Sequence, residues 1–335
     1  MRATTASGRE QDRHVLVLTH TGRDEAREVA LAFCKGLTGH GIVVRVPATE
    51  AGDLGIDPTA YRPAVELAET DADATSACEL VVVIGGDGTI LRAAEITHET
   101  GIPVLGVNLG HVGFLAEAEY DDVESTIDAI VQRRYVAEDR MTLDVRVFTD
   151  GEEVFHTFAL NEASVEKAAR ERMLEVVIEV DDRPLSRFGC DGVVCATPTG
   201  STAYNFSAGG PVVWPGVEAL LMVPISAHAL FARPLVVAPT SELAIEVISR
   251  ADGAAAVLWC DGRRAFDLPV GARIEVTRGS HPVRLVRLHE APFTDRLVRK
   301  FGLPVDGWRG AAEQRKRDRG SARPSGDGSA AQEWP

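Results

Sequence analysis

The sequence predicts an α/β N-terminal domain on a mostly parallel sheet, followed by a β-rich, sandwich-like C-terminal domain. Three observations predict it. Over 14–137, short apolar runs alternate with stretches of helical spacing, as when strands are buried on both faces by crossover helices. From about residue 138 the period changes to two, in LDVRVFTDG, EVFHTFALNEASVE and LEVVIEVDDRPLSRF. Turn pairs at Asp150-Gly151 and Asp181-Asp182 join these runs as hairpins.

Each element follows from its own pattern. HVLVLTH (14–20) reads as a buried strand, and the next segment places Ala26, Val29, Ala30, Leu31 and Leu37 on one helical face, closed by glycines 36–41. Residues 42–46 form the second strand. The acidic stretch 66–73 reads as exposed. Residues 80–84 form the third strand, 89–98 a helix, 103–107 the fourth strand and 121–133 a further helix. Two-residue alternation resumes after 138 and returns in LAIEVIS, AAVLWCDG and ARIEVTRG, so 138–290 is the β-rich domain. PFTDRLVRKFGLP, within 291–309, reads as one helix stopped by Gly302 and Pro304 and is expected to pack back on the N-terminal domain. Residues 1–13 and the charged, Gly/Ser/Ala-rich 310–335 are expected to be disordered.

A net charge of −15 argues against nonspecific nucleic-acid binding and against an anionic membrane surface. Local N–H groups, arginines or a metal still permit an anionic ligand. Among 35 basic residues only Lys35, Lys167, Lys300 and Lys316 are lysine, and none lies near a glycine-rich loop, so a Walker-type phosphate lysine is excluded. Five cysteines without a CxxC pair or clustered histidines read as reduced thiols of a cytoplasmic protein, not as a disulfide framework or a zinc site. No apolar signal core and no membrane-length run is present.

The stretch VVVIGGDGTILRAAE carries the chemistry. An apolar strand runs into Gly85, Gly86, Asp87, Gly88 and Thr89 and then into a helix. Such a turn gathers free N–H groups at a helix N-terminus, a natural phosphate site, and glycine lets the backbone approach. Asp87 is the odd member. A carboxylate among phosphates repels them unless it binds a metal or removes a proton, and both roles suit phosphoryl transfer to a hydroxyl. The bland alternative is an N-capping Asp in a plain turn. Arg92, on the following helix, faces either phosphate or solvent.

Other stretches fit around this turn. GVNLGHVGFLAE places Asn108 and Gly110 after the next strand, at the crevice that neighbouring strand ends share. Asn161 and Glu162 lie together inside an apolar strand and need partners, either backbone or ligand. DGVVCATPTGSTAYNFSAGGP (191–211) offers hydroxyls at Thr197, Thr199, Ser201, Thr202, Tyr204 and Ser207, with Asp191 placed for ribose hydroxyls and Tyr204 for a flat base. The lone His228 reads first as structural, and Asp261-Gly262 as a hairpin turn.

Together these segments resemble the NAD kinase family. GGDGT, NLGHVGFLAE, NE, the long hydroxyl-rich stretch, PISAHAL and CDG occur in the family's order over roughly 15–310, and the chain's ending resembles actinobacterial members. GGDGT alone is shared with diacylglycerol and sphingosine kinases, so a lipid kinase is the runner-up and a noncatalytic NAD(P)-binding regulator a third reading. The resemblance implies phosphorylation of the 2′-hydroxyl of the adenosine ribose of NAD, with ATP or polyphosphate as donor and Mg²⁺ or another divalent metal, in a homodimer or homotetramer. It implies Asp87 as general base and Gly85, Gly86, Gly88, Thr89 and Asn108 at the phosphates. Asn161 and Glu162 would bind adenosine, and Thr202, Ala203, Tyr204 and Ser207 the dinucleotide. Asp191 would meet the nicotinamide ribose or amide, across a subunit interface in some members. No metal-ligating residue is implied. Two departures stand out: Gly189 and His111 occupy positions where many members carry arginine.

Overall fold

The computed structural model describes residues 12–61, 65–110, 113–119, 122–169, 173–248, 255–289 and 292–305. The expected disordered lead lies almost wholly, and the tail entirely, outside them, as does His111. In chain order the first strands and helices are β1 (His14–Thr19), α1 (Asp24–Gly39), β2 (Val43–Pro47), α2 (Ala48–Leu54), β3 (Val65–Ala68), α3 (Asp71–Thr75), β4 (Cys78–Ile84), α4 (Asp87–Thr97), β5 (Val104–Asn108), β6 (Ala118–Glu119), α5 (Val123–Val131) and β7 (Val136–Arg140). There follow β8 (Leu143–Thr149), β9 (Glu152–Ala159), β10 (Glu162–Lys167), β11 (Leu174–Val180), β12 (Arg183–Cys190), β13 (Gly192–Ala196), α6 (Tyr204–Ser207), β14 (Leu220–Ile225), β15 (Leu235–Val237), β16 (Leu243–Val247), β17 (Ala256–Cys260), β18 (Arg264–Leu268), β19 (Arg273–Arg278), β20 (Val283–Arg287) and α7 (Phe293–Phe301).

The first sheet has the order β3-β2-β1-β4-β5-β20-β7, with β6 on β5, and is parallel except where β20 meets β7. Its apolar runs are buried on both sides. Val15, Val17, Leu80, Val82 and Ile84 pack with α1, while Leu16, Leu18, Val81 and Val83 pack with Ile90, Ala93 and Ala94 of α4. The crossovers after β1 and β4 therefore lie on opposite faces, and the strand order reverses between these two strands. That arrangement opens a crevice beyond their carboxyl ends.

The acidic stretch 66–73 is more ordered than its composition suggests. Val65 and Ala68 are buried in β3, an edge strand beside β2, and Asp71 begins α3. An edge strand tolerates the charges because one side faces water. The helix expected at 89–98 begins two residues earlier and takes in Asp87. Of the helix expected at 121–133, Asp121 lies outside the described residues and the rest runs Val123–Val131.

The remaining strands form two antiparallel sheets, β15-β14-β13-β10-β17-β18 and β12-β11-β16-β19-β8-β9. Their inner faces share one core, in which Ala163, Val165, Val193 and Leu258 meet Leu143, Val176, Ile245 and Ile274. This is the sandwich the two-residue period implies. Positive φ at Asp150 and Gly151, at Asp181 and Asp182, and at Asp261 and Gly262 closes three hairpins as the turn pairs predict. All five cysteines are buried and free. Taken by itself, α7 is a two-turn helix ended by Gly302 at φ 58°.

Leu160, just before β10, is fully buried in the core beneath the parallel sheet, with Leu16, Leu18 and Leu285. It thus fastens the start of a sandwich strand to the first sheet. Leu160→Ala is expected to cost about 2–5 kcal/mol of stability, the range for a buried leucine whose cavity does not collapse. Urea denaturation checks it.

Candidate active site

The crevice at the β1/β4 switch point holds a cavity of about 340 Å³. It is lined by Thr19, His20 and Arg23 after β1, by Gly85, Gly86, Gly88 and Thr89 after β4, and by Arg92 and Arg263. Gly85 sits at φ 155°, and a Cβ there would lie 2.6 Å from the Thr89 hydroxyl, so the turn requires glycine. Gly86 precedes the first turn of α4, whose N–H groups and dipole favour an anion.

Asp87 is the first residue of α4 and is not its N-cap: that position belongs to Gly86, and no side chain caps the helix. The Asp87 carboxylate instead accepts the main-chain N–H groups of Phe114, at 3.2 Å, and Leu115, at 3.3 Å. It is thereby aimed at the segment that follows β5. Asn108, 8% exposed, ends β5 beside it, and Gly110 is exposed at φ 99°.

Arg92 faces the cavity. It is ion-paired with Glu50, whose other oxygen accepts the Thr19 N–H at 2.8 Å. Burial raises the pKa of Glu50, and the bond from Thr19 and the Arg92 guanidinium counter the rise. Sequence reasoning missed Thr19, His20, Arg23, Glu50 and Arg263. The signal for the first three was THTGR at the end of the first strand, because alternating strands and helices place that turn beside Gly85–Thr89.

The second cluster is built on β10. Asp261, 7% exposed, accepts the N–H groups of Leu160, Asn161 and Glu162 at 2.9, 2.7 and 3.3 Å, and Arg264 at 2.8 Å. Asp261 does occupy the expected hairpin turn, but its side chain also anchors the Asn161-Glu162 pair. The Thr197 N–H donates to the Asn161 carbonyl at 2.9 Å, and the Thr197 hydroxyl to that of Leu160 at 2.6 Å. The hydroxyl-rich loop folds over the Asn161 carbonyl so closely that a Cβ on Gly200 would lie 1.9 Å from it. Glu162 accepts the Tyr204 N–H at 3.3 Å. The expected loop residues gather here: Thr199 is buried, Thr202, Ala203 and Tyr204 are half-buried, and Ser207 is exposed at the end of α6.

Burial, reinforced by the Asp261 charge, pushes Glu162 up to about 8, so near pH 7 the group mostly keeps its proton. Burial also raises Asp261, against the N–H groups and Arg264 that hold it charged. Asp191 is drawn the other way by Lys167, 2.6 Å from it, and by Ser226. His228 is exposed. Its N–H donates to Gly189 at 2.9 Å, and its ring lies near enough to Asp191 to add to that lowering.

One turn thus touches both groupings: its Arg263 lines the glycine-walled crevice, and its Asp261 holds the buried Asn-Glu pair beneath the hydroxyl-rich loop. Residues 15–135 match the family model described as ATP-NAD kinase N-terminal domain, and 160–288 match the ATP-NAD kinase C-terminal domain. The chain belongs to the NAD kinase family. It is an enzyme, and its reaction class is that of a NAD kinase. It is 57% identical to a NAD kinase of Thermobifida fusca over 92% of this chain and 95% of that relative. It is 59% identical to NAD kinase 2 of Streptomyces avermitilis over 89% of this chain and 97% of the other. A yeast NADH kinase crystallised with NADH matches with TM-score 0.81 and 26% identity, covering 89% of each chain. A NAD kinase from Archaeoglobus fulgidus in complex with ATP matches with TM-score 0.63 and 25% identity, covering 86% of this chain and 98% of that one. Both halves match NAD kinases, which leaves the lipid-kinase alternative without support.

Two outcomes follow. Asp261→Ala leaves three N–H groups without their acceptor, and a loss of about 3–5 kcal/mol is expected by chemical denaturation. For Glu162 the native pKa lies above the unfolded one, so its stability contribution is full below about pH 4.5 and is lost as pH rises toward 8. Glu162→Gln is therefore expected to melt closer to, or above, wild type at pH 8.5 than at pH 5. Thermal scans across that window check the sign.

Proposed function

We propose that this chain transfers the terminal phosphoryl group of ATP to the 2′-hydroxyl of the adenosine ribose of NAD. The observation that carries the reading is Asp87. Its carboxylate stands in the first turn of α4, between Gly86 and Gly88 of the crevice wall, and two backbone N–H groups turn it toward the segment after β5. In this reading the nucleotide phosphates lie over Gly85, Gly86, Gly88 and Thr89, and NAD lies along β10 and the 199–207 loop. Asp87 orients the attacking hydroxyl and takes its proton late in the transfer. The N–H groups at the start of α4 and the arginines stabilise charge that grows on the phosphoryl oxygens.

Asn161 and Glu162 read the polar edge of adenine, and a Glu162 that keeps its proton offers both a donor and an acceptor. Tyr204 packs against a base, while Thr202, Ala203, Ser207 and Asp191 hold the rest of the dinucleotide. Among the described residues no three carboxylate, histidine or cysteine groups gather as a metal cage. The lining of the crevice holds no carboxylate among the described residues, so a Mg²⁺ ion would be carried by the donor phosphates themselves. Such an ion supplies charge neutralisation.

Among the described residues no helix is long and apolar enough to cross a membrane. Cytoplasmic work on free nucleotides agrees with that and with the acidic net charge. Association into a homodimer or homotetramer is supported by apolar side chains left in water beside edge strand β15, where Leu230 is 111%, Phe231 56% and Val236 55% exposed.

Purified protein with NAD, ATP and Mg²⁺ is expected to form NADP, read by an NADP-specific dehydrogenase, with polyphosphate as an alternative donor in parallel. Asp87→Asn is expected to keep the melting temperature within a few degrees and to lower kcat by roughly 10²–10⁴-fold, the usual contribution of a positioned base. A well-folded variant turning over near the wild-type rate refutes the assignment.

A further inference from the structure

The turn between β17 and β18 uses two consecutive arginines differently. Arg264 faces inward, bonded to Asp261 at 2.8 Å and to the Phe158 carbonyl at 2.9 Å, with its guanidinium 4.3 Å above the Phe158 ring. Arg263 lines the crevice that holds Gly85–Thr89. Both grip Glu95 on α4. Arg263 does so through Nε and Nη2, each at 2.9 Å, and Arg264 through Nη1 at 3.0 Å.

The bidentate grip fixes the direction of Arg263 and leaves its Nη1 without a partner among the described residues, on a side chain 35% exposed. The opposite wall carries two more uncommitted groups. Among the described residues the buried Thr19 hydroxyl has no hydrogen-bond partner and the Arg23 guanidinium no ion pair. A buried hydroxyl and two cations converging on glycine N–H groups suit a chain of phosphate oxygens.

We propose that Arg263 is a donor-binding residue supplied by the sandwich, contacting the phosphoanhydride chain of the nucleotide, and that Glu95 is its positioning residue. The proposal rests on the crevice being the ATP site. Because Glu95 and Asp87 share α4, one rigid helix sets the distance between the proton acceptor and the arginine. The side-chain ordering is complete before the donor arrives and adds little to the cost of binding.

The test uses the full chain with Arg263→Ala, Arg263→Lys, Glu95→Gln and, for comparison, Arg264→Lys. Steady-state rates are measured with ATP and NAD varied separately. Binding of inorganic tripolyphosphate without NAD is measured by calorimetry, and near-UV circular dichroism checks folding. Arg263→Ala is expected to raise both the KM for ATP and the Kd for tripolyphosphate about tenfold or more, the scale of a hydrogen bond to a charged group. The KM for NAD stays within about twofold of wild type on that scale. Arg263→Lys recovers only part, since lysine lacks the fork that Glu95 holds. Glu95→Gln shows the same pattern, weaker. Arg264→Lys loosens Asp261 and moves the KM for NAD instead. The proposal is overturned if Arg263→Ala leaves both donor constants unchanged, or if Arg264→Lys shifts them as strongly. A wild-type chain that forms no NADP overturns the functional reading itself, whereas an active wild type with an indifferent Arg263→Ala overturns only this inference.

Discussion

One buried carboxylate organises the meeting of the two halves. Asp261 collects three consecutive main-chain N–H groups, from Leu160 to Glu162, where the chain passes from β9, at the edge of one sandwich sheet, into β10 of the other. Those groups have no sheet partner at that point, and leaving them bare in the interior would be costly. Arg264 answers the charge of Asp261 and, through Glu95, ties the same turn to α4. Helix α4 begins with Asp87. A short relay of charge-assisted bonds therefore links the helix that begins with Asp87 to the backbone that displays Asn161 and Glu162.

The crevice gives an acidic protein local surroundings suited to an anion. The net charge of −15 is a global quantity, whereas the local field beyond β1 and β4 is set by a helix N-terminus, glycine N–H groups and the side chains of Arg23, Arg92 and Arg263. Two of these arginines are already held by carboxylates, Glu50 and Glu95. That pairing lowers the net positive charge but fixes where the remaining donors point. The site selects by geometry as much as by attraction.

Glu162 lies in an equally paired setting beneath the hydroxyl-rich loop. Placed beside Asp261 and buried under the 199–207 loop, it holds its proton far above the usual carboxylate range. Two carboxylates so close cannot both ionise freely. Asp261 has the N–H groups and Arg264, and Glu162 has one N–H, from Tyr204. The group with more donors keeps the charge.

Much of this was legible in the sequence. The apolar runs from 14 to 108 specified a parallel sheet because only strands covered on both faces are apolar throughout, and the two-residue period after 138 specified a sandwich because one face of each strand is wet. Gly85–Thr89 stood out as a glycine-rich turn between strand and helix, and the folded chain sets four of its five residues in the wall of the β1/β4 crevice. Other features were decided only by tertiary structure. The β3 strand hides in an acidic stretch because edge strands need little hydrophobicity. Asp261 looked like a hairpin residue because a turn is local, while its three N–H donors lie about a hundred residues away in the chain. Arg92 showed no preference between phosphate and solvent until Glu50 was seen to hold it over the crevice. Local pattern determines which element a residue builds. Which distant element stands across from it depends on strand order and packing, and there the folded chain alone decides.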